Sequence, residues 1–369
     1  MHDAAVDVGV LTTGHDVADA RLHKVVKALR ERGLTVEVRG LGERSDGPDG
    51  ALVIVSRRGG LLRRGLRAAA LPWKSSARVL LTLDPDLIPA TRVVGRLRHR
   101  KVVVDVHEDY AKLLADRAWS RGLRAVAARA FVGFATRLAG GTDLTVVADE
   151  HLPPWSARHR VVVPNLPSAA FMPPVADRDP VPRAVYIGDL RESRGLFDMV
   201  EAIGAAPGWQ LDLVGPVAHP DRSRLAERLA APDVLGRVRV HDRRPPKQSW
   251  RIAQGAWTGL CLLHDTPAFR EALPTKLHEY LASGLALLVS DLPRQARVVH
   301  DSGAGAVVGN VDQAAEVLRT WAAAPALIDS LQEAARSWSR TTSDAPDPYA
   351  ALADAIAELA RPSRSAVPR

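Results

Sequence analysis

The sequence has 369 residues, one cysteine and a formal net charge of +8. This length favours two domains over one, because each half can bury a core of its own. Cys261 cannot form an intrachain disulfide, no apolar stretch reaches the roughly 18 to 20 residues that span a bilayer, and the N-terminus lacks the form of a signal peptide. We therefore expect a cytoplasmic protein, with attachment to the inner face of the plasma membrane as the alternative to a freely soluble state.

The excess positive charge lies in the first part of the chain. Residues 1–165 hold 27 Lys and Arg against 18 Asp and Glu, whereas the remaining residues hold 23 against 24. Arginine beside leucine and tryptophan at helical spacing suits an anionic membrane surface or a lipid-phosphate acceptor, and a solvated surface without a partner explains the pattern equally well. Nucleic acid is disfavoured, because no zinc spacing or aromatic RNA motif accompanies the charge. The basic residues are Arg57, Arg58, Arg63, Arg64, Arg67, Arg92, Arg96, Arg98, Arg100, Lys101, Arg117, Arg121, Arg124, Arg129 and Arg137.

Short apolar runs alternate with helical stretches in the first 165 residues, which is the pattern of a parallel sheet. Residues 18–32, after the first run, are amphipathic and end at Gly33. We predict a Rossmann-like N-terminal domain over residues 1–165. Its predicted strands are 6–11, 36–38, 51–55, 78–82, 101–105 and 144–147.

The proline-rich stretch that follows predicts a linker over residues 166–182, since it has no periodic apolar pattern. Alternation resumes beyond it and predicts a second domain over residues 183–340. A final helix at about 346–361 follows a break. The predicted strands of the second sheet are 184–187, 209–214, 238–240, 259–263, 286–289 and 304–308.

Glu271 and Glu279 are the most informative residues, because they place two acids at the ends of one loop-to-helix turn. Pro274 and Thr275 predict the helix start, since proline suits the entry and threonine can cap free amides. Such an entry attracts phosphate, and Lys276 in the first turn suits a shared anion. Glu279, one turn beyond, can accept two ribose hydroxyls. The alternatives are a surface acid at Glu271 and an exposed helix acid at Glu279.

His107 follows a predicted strand, and ligands bind at the carboxyl ends of strands in open α/β sheets. A structural histidine is the alternative. Glu108 beside it is charged and would not suit a buried core, which favours a position at the rim of a cleft.

Asp84 and Asp86 superficially suggest a metal-binding pair. Pro85 at the start of a helix explains them instead as ordinary N-terminal acids. No cluster of His, Cys and Asp elsewhere has metal-ligand spacing, so we predict neither a metal nor another cofactor.

The paired acids resemble the signature of the retaining glycosyltransferases of family 4. Three further segments resemble that family, in order along the chain: DVHEDY at 105–110, VVPN at 162–165, and YIGDLRESRG at 186–195 with MVEAI at 199–203. The resemblance implies the α/β GT-B fold, with two Rossmann-like domains facing a central cleft and a C-terminal helix that crosses back to the first domain. It implies acceptor binding by residues 1–165 with the final helix, and nucleotide-sugar binding by residues 183–340.

The resemblance also implies roles for individual residues, without a metal. Glu279 would bind the ribose and Glu271 would contact the transferred sugar. His107 would bind a sugar hydroxyl. Catalytic roles are implied for His107 and Glu271, donor contacts for Gly14, Gly188, Arg194, Pro274, Thr275, Lys276 and Glu279, and acceptor contacts for Asp19, Arg21 and Glu108.

The sequence departs from the family pattern at the glycine turn. Asp189 stands where many members carry arginine, and Arg194 replaces a lysine, keeping the charge and adding a bidentate fork. Arg191 could substitute for the missing cation, and the N-terminal glycine pair is reduced to Gly14.

We predict an enzyme that transfers a sugar from a nucleotide diphosphate sugar to an acceptor hydroxyl, lipid-linked or on a small molecule, in cell-surface glycan or glycolipid synthesis. The alternatives are a sugar-nucleotide epimerase of similar fold and a non-catalytic GT-B partner subunit, which Asp189 keeps open.

Overall fold

The computed structural model describes residues 6–115, 122–168, 170–343 and 347–361. Within them lie thirteen strands and thirteen α-helices, as follows. The strands are β1 (Val8–Asp16), β2 (Val36–Leu41), β3 (Leu52–Ser56), β4 (Val79–Thr82), β5 (Lys101–Val106), β6 (Leu144–Val147), β7 (Arg160–Val162), β8 (Arg183–Ile187), β9 (Gln210–Val214), β10 (Val238–His241), β11 (Thr258–Cys261), β12 (Ala286–Ser290) and β13 (Gly305–Val308). The helices are α1 (Ala20–Glu31), α2 (Leu61–Lys74), α3 (Ile88–Leu97), α4 (Tyr110–Ala115), α5 (Gly122–Ala139), α6 (Leu196–Gly204), α7 (Arg222–Leu229), α8 (Pro246–Ala253), α9 (Thr275–Ala282), α10 (Pro293–Ser302), α11 (Val311–Ala323), α12 (Pro325–Ser343) and α13 (Pro348–Ala360).

The chain divides into two compact units. Unit 1 consists of Met1–Asn165 with Pro346–Arg369, and unit 2 of Leu166–Ala345. Each unit contains one parallel sheet, with the order β3-β2-β1-β4-β5-β6-β7 in unit 1 and β10-β9-β8-β11-β12-β13 in unit 2. The predicted α/β fold with two parallel sheets is confirmed.

In unit 1, alternate side chains of the strands pack on opposite faces of the sheet, as the pleat requires. Val79 and Leu81 of β4 join the core under α1 and α13, whereas Leu80 joins the core under α2 and α3. Helix α2 packs on α3, and α3 packs on α5. Unit 1 therefore has two helical layers, α1 with α13 on one face and α2, α3 and α5 on the other.

The last helix belongs to unit 1, as the fold prediction expects. Helix α13 packs on α1 and contributes Tyr349, Leu352 and Ile356 to the buried core of unit 1. The hydroxyl of Tyr349 donates a hydrogen bond to the Oδ1 atom of Asn165, 2.9 Å away. This helix closes a core that the first 165 residues leave open on one side.

Unit 2 has a core on each face of its sheet. One core surrounds Trp209, whose ring meets Trp257 edge-on at a centroid distance of 5.7 Å. The Nε1 atom of Trp209 donates to the carbonyl of Leu318 at 2.8 Å, so this buried polar group is satisfied. The other core holds Tyr280 of α9 and Cys261, which is a buried free cysteine.

Most predicted strands are present within a few residues of their expected ends, and two details differ. Strand β7 was not predicted, and α3 begins at Ile88 with Pro89 in its first turn, so the prediction that Pro85 opens this helix is wrong. Among the described residues between Val162 and Arg183 there is neither helix nor strand. None of the helices in the described part of the chain is long and apolar enough to cross a membrane.

Candidate functional site

The turn after β8 brings a glycine together with a lysine from α9. Gly188 has a φ of 147°, and a Cβ atom there would lie 2.8 Å from the Nζ atom of Lys276. Glycine therefore lets the ammonium group approach the backbone. The Nζ atom lies 3.5 Å from the ring centroid of Tyr186, a cation–π contact. Lys276 is only 8% exposed, and no described residue accepts a hydrogen bond from its Nζ atom.

Helix α9 begins without a side-chain cap. Pro274 holds the N-cap position and Thr275 is the first helical residue, so the prediction that threonine caps this helix is wrong. A cap requires a side-chain acceptor at the N-cap position, and proline has none. Leu277, in the first turn, donates its N–H to the carbonyl of Pro274 at 3.1 Å. The N–H groups of Thr275 and Lys276 lie before the first intrahelical bond, and together with the positive end of the helix dipole they suit an anion.

Tyr280 fixes α9 to the sheet. Its hydroxyl accepts a hydrogen bond from the N–H of Ile187 at 3.1 Å and donates to the carbonyl of Leu260 at 3.4 Å. A Cβ atom on Gly259 would lie 2.2 Å from the tyrosine ring, so glycine lets the ring pack closely against β11. Burial raises the pKa of Tyr280 well above its usual value, which keeps the hydroxyl protonated. These contacts set the position of Lys276, one helical turn before Tyr280.

The two predicted acids lie in different environments. Glu279 is 8% exposed, which disfavours the alternative of an exposed helix acid. Glu271 is exposed on the turn before α9, and its backbone carbonyl accepts a hydrogen bond from the Nη1 atom of Arg294 at 3.0 Å. The position of Glu271 therefore suits both a surface acid and a residue that contacts a ligand.

Arg194 reaches the same loop from the glycine turn. Its guanidinium lies 5.6 Å from the ring centroid of Phe269, two residues before Glu271. The next residue, Gly195, has a φ of 74°, and a Cβ atom there would lie 1.9 Å from the carbonyl of Leu262. Close packing of this turn against the segment after β11 therefore requires glycine.

Cys261 lies at the end of β11, and its pKa is affected by burial and by two cations. Burial raises the pKa of its thiol to about 11, although Lys276 and Arg194 both act to lower it. Gly195, the neighbour of Arg194, packs on the carbonyl of Leu262, so this turn lies beside the carboxyl end of β11. The thiol stays neutral, which agrees with the prediction of a buried hydrophobic residue rather than a nucleophile.

Asp189 joins two arginines in unit 2. Its carboxylate accepts hydrogen bonds from the Nη2 atom of Arg191 at 3.0 Å and from the Nη2 atom of Arg243 at 2.7 Å. Its carbonyl accepts from the hydroxyl of Tyr186 at 3.1 Å. The sequence analysis did not single out Arg243. Its place two residues after β10, a strand of the parallel sheet, is the signal that could have identified it.

In unit 1, Asp84 holds the segment that contains Gly14. Its carboxylate accepts hydrogen bonds from the hydroxyl of Thr12 at 2.5 Å, from the N–H of Thr13 at 2.8 Å and from the N–H of Gly14 at 3.1 Å. A Cβ atom on Gly14 would lie 2.7 Å from the same carboxylate. Gly14 therefore has a packing reason to be glycine.

Asp86 adds a second anchor for the same segment. It accepts hydrogen bonds from the hydroxyl of Thr13 at 2.9 Å and from the Nε atom of Arg64 at 2.7 Å. The interpretation of Asp84 and Asp86 as ordinary N-terminal acids of a helix is therefore wrong. Both carboxylates bind the end of β1, and both pair with Arg64 of α2.

Two histidines meet beside this segment. The rings of His15 and His107 lie 4.8 Å apart between centroids, edge to face. Burial lowers the pKa of His15, but the carboxylates of Asp84, Asp19 and Glu108 together raise it to about 9. Burial and the charge of His15 lower the pKa of His107. At neutral pH His15 is therefore cationic and His107 neutral, and no described residue forms a hydrogen bond with the Nδ1 atom of His107.

The three predicted acceptor residues differ in accessibility. Asp19 caps α1 by accepting from the N–H groups of Arg21 at 2.9 Å and Leu22 at 3.1 Å. Arg21 is buried, and its Nε and Nη2 atoms donate to the two carboxylate oxygens of Asp105 at 2.7 and 2.8 Å. The Nε and Nη2 donors of Arg21 are therefore already used inside unit 1. For this reason we do not retain Arg21 as an acceptor contact. Glu108 is partly buried, directly after His107.

Residues 171–338 match the family described as Glycosyl transferases group 1, a span that contains the Gly188 turn and all of α9. The chain also resembles sucrose-phosphate synthase from Thermosynechococcus elongatus, with a TM-score of 0.68, 16% identity, and coverage of 96% of this chain and 98% of that one. Residues 171–338 therefore form a glycosyltransferase domain, in a chain that has the GT-B fold. Its enzymatic activity is sugar transfer.

Two further solved structures have the same fold as this glycosyltransferase. WaaG, described as a glycosyltransferase involved in lipopolysaccharide biosynthesis, has a TM-score of 0.66 and 17% identity, with 95% of this chain and 99% of that one covered. HepE from Anabaena, in complex with UDP, has a TM-score of 0.63 and 12% identity, with 96% and 98% covered. No curated protein sequence matches the glycosyltransferase. At these identities the structural likeness concerns the fold.

Proposed function

We propose that the enzyme takes its sugar from a nucleoside diphosphate sugar, whose diphosphate binds between the Gly188 turn and the start of α9. The observation that carries this proposal is the buried ammonium group of Lys276, which has no hydrogen-bond acceptor among the described residues. A buried cation without a hydrogen-bond acceptor is costly, and an anion would lower that cost. The uncapped start of α9 supplies donors to the same anion. UDP in the HepE structure supports a donor of this class.

The other donor contacts follow from their distance along α9. Glu279, buried one turn beyond Lys276, is proposed to accept the ribose hydroxyls. Glu271, exposed before the helix, is proposed to contact the transferred sugar or its developing positive charge. Arg194, near the end of β11 with Lys276, adds charge for the diphosphate.

The proposed reaction retains the anomeric configuration, as the family resemblance implies. The bond between the sugar C1 and the diphosphate oxygen breaks, and the acceptor oxygen bonds to C1 from the same face. The acceptor proton passes to an oxygen of the leaving diphosphate. Fixed cations and amide groups stabilise the charge that develops on the leaving group, so the proposal requires neither a metal nor a side-chain nucleophile.

We place the acceptor contacts in unit 1. A neutral His107 can both donate and accept hydrogen bonds, which suits a sugar hydroxyl. Asp19 and Glu108 are proposed to contact the acceptor. The acceptor is proposed to be lipid-linked or a small molecule, in cell-surface glycan or glycolipid synthesis at the cytoplasmic face of the membrane. The role of WaaG in lipopolysaccharide biosynthesis supports this setting.

We do not retain the two alternatives. The family match describes transferases and includes the proposed donor residues, which disfavours an epimerase. Asp189, which kept a non-catalytic partner subunit open, binds two arginines that can serve the donor.

The proposal predicts that Lys276→Met weakens the binding of nucleoside diphosphates. Loss of one charged contact costs about 1.5–3 kcal/mol, so the dissociation constant should rise at least about tenfold. Isothermal titration with UDP and with GDP measures it. Arg297→Met, an exposed cation on α10, is the control and should bind as the unmodified enzyme does. Unchanged affinity of Lys276→Met for a nucleotide that the enzyme binds would remove the proposed diphosphate site.

A further inference from the structure

Unit 1 exposes large apolar side chains on one of its two helical layers. The layer of α2, α3 and α5 includes Leu62, which is 79% exposed, and Leu123, which is 88% exposed. None of the large exposed apolar side chains lies on α1 or α13, the opposite layer. The exposed residues of the layer are Leu61, Leu62, Leu66, Trp73, Val93, Leu97, Leu123, Val126, Phe131 and Phe134.

The same layer is basic and contains no acid. Helices α2, α3 and α5 have neither Asp nor Glu between their ends. Their basic residues are Arg63, Arg64, Arg67, Lys74, Arg92, Arg96, Arg124, Arg129 and Arg137. By contrast, the opposite layer carries both signs of charge and is nearly neutral, with Arg21, Lys24, Lys27 and Arg30 against Glu31, Asp354 and Glu358. The excess positive charge of unit 1 is therefore concentrated on the layer that also exposes apolar residues.

The packing of α2 shows which side of the layer is available. Ala68 and Leu71 are buried against the sheet, and Arg64 pairs with Asp84 and Asp86. Leu62 and Leu66, one turn apart, are exposed instead. The exposed leucines therefore do not serve the core of unit 1. Arg117 and Arg121, which the sequence analysis grouped with this surface, lie outside the described residues.

We propose that the outer side of α2, α3 and α5 docks on an anionic lipid bilayer. Helices whose apolar side chains alternate with arginines, without acids, bind a membrane interface by burying the apolar groups among the acyl chains and pairing the cations with anionic headgroups. A soluble acidic partner would match the charge, but it would not require apolar side chains spread over three helices. This proposal rests on the proposed function only in one respect: it names the surface that brings the enzyme to a lipid-linked acceptor.

Two sets of variants test the apolar and the basic contributions separately. Sedimentation is measured with vesicles of phosphatidylcholine alone and of equimolar phosphatidylcholine and phosphatidylglycerol. Leu62→Ser with Leu66→Ser should lower binding to the anionic vesicles at least about tenfold, because two exposed leucines no longer enter the interface. Arg124→Gln with Arg129→Gln should lower it about fivefold for each arginine, and raised salt should lower the binding of the unmodified enzyme.

Matched controls come from unit 2. Leu235 is 65% exposed, as Leu66 is, and Arg297 is exposed on α10. Leu235→Ser and Arg297→Gln should therefore leave vesicle binding unchanged. Titration with UDP is run in parallel, because the proposed donor site lies in the other unit and the layer variants should leave nucleotide affinity unchanged.

The outcomes separate this proposal from the proposed function. Vesicle binding that depends on the layer supports docking, even if UDP does not bind. Equal binding to both vesicle types, equal losses in the controls, or layer variants that bind like the unmodified enzyme would each overturn docking, even if UDP binds. Binding to a single-stranded RNA oligomer without binding to vesicles would also overturn it and assign the layer to nucleic acid.

Discussion

Asp189 is negatively charged, but the turn after β8 that contains it also holds positive charge close by. A carboxylate next to a diphosphate would repel it, yet this carboxylate holds the guanidinium groups of Arg191 and Arg243. The net charge of the three side chains is positive. We therefore propose that Asp189 is a positioning residue and that its two arginine partners supply the cations.

This arrangement predicts the sign of a substitution effect. Asp189→Asn should weaken UDP binding about tenfold, because Arg191 and Arg243 lose the charged partner that orients them. Asp189→Asn combined with Arg243→Gln should be little worse than Arg243→Gln alone, since both changes act through one contact. Isothermal titration measures the cycle, and Asp233→Asn, which removes an exposed carboxylate from Arg228, is the control.

Repulsion predicts the opposite result for the same variant. If the carboxylate faces the diphosphate directly, Asp189→Asn should bind UDP more tightly than the unmodified enzyme. That outcome would refute the positioning role.

At the scale of the elements, helix α9 depends on one close approach to the sheet. The ring of Tyr280 rests on Gly259 of β11, where any side chain would overlap it. The position of Lys276 follows from that contact, since both residues lie on one short helix.

Gly259→Ala should therefore destabilise unit 2 by about 1–3 kcal/mol or more, the usual cost of overpacking a core. The measurement is the free energy of unfolding in urea, followed by tryptophan fluorescence. Gly65→Ala on α2, where a Cβ atom would meet open space, is the control and should be neutral or slightly stabilising. Equal stability of the two variants would show that α9 can shift without cost.

The elements that the sequence predicts well are those with a local signal. Buried strands such as β4 and β12 contain continuous apolar runs, and α9 combines an entry proline with an apolar stripe. Strand β7 has only three half-buried residues, too few for a periodic pattern. The start of α3 was misplaced because Asp84 binds the end of β1 rather than its own helix.

The residues of the candidate site also differ in whether a local pattern in the sequence reveals them. Lys276 and Glu279 could be found because their spacing on one helix is visible in the sequence. The pairing of Arg243 with Asp189 could not, because the two residues are 54 positions apart along the chain, and Arg21 and its partner Asp105 are 84 positions apart. Contacts of this kind depend on which strand ends the fold brings together.

At the scale of the whole molecule, the proposed chemistry relies on cations from several separate elements. Arg194 comes from the turn after β8, Lys276 from α9 and Arg243 from the loop after β10. Side chains held in this way can stabilise a leaving diphosphate as a divalent metal does in other enzymes.

Sugar transfer should accordingly persist in EDTA. The assay follows release of the nucleoside diphosphate from UDP-sugars and GDP-sugars with and without chelator. Loss of turnover in EDTA, restored by magnesium or manganese, would contradict the metal-free proposal. A metal-dependent glycosyltransferase run in parallel is the control for chelation.

The place of α13 in unit 1 also affects how the chain is made. Tyr349, Leu352 and Ile356, together with smaller residues of α13, complete a core whose remaining buried members lie before residue 165. During synthesis, unit 2 emerges from the ribosome in full before those three side chains do. Unit 1 therefore waits, with α1 uncovered on the side that α13 later packs against, for as long as translation of about 180 further residues takes, roughly ten seconds or more at ordinary rates. The first unit to leave the ribosome is the last to be completed.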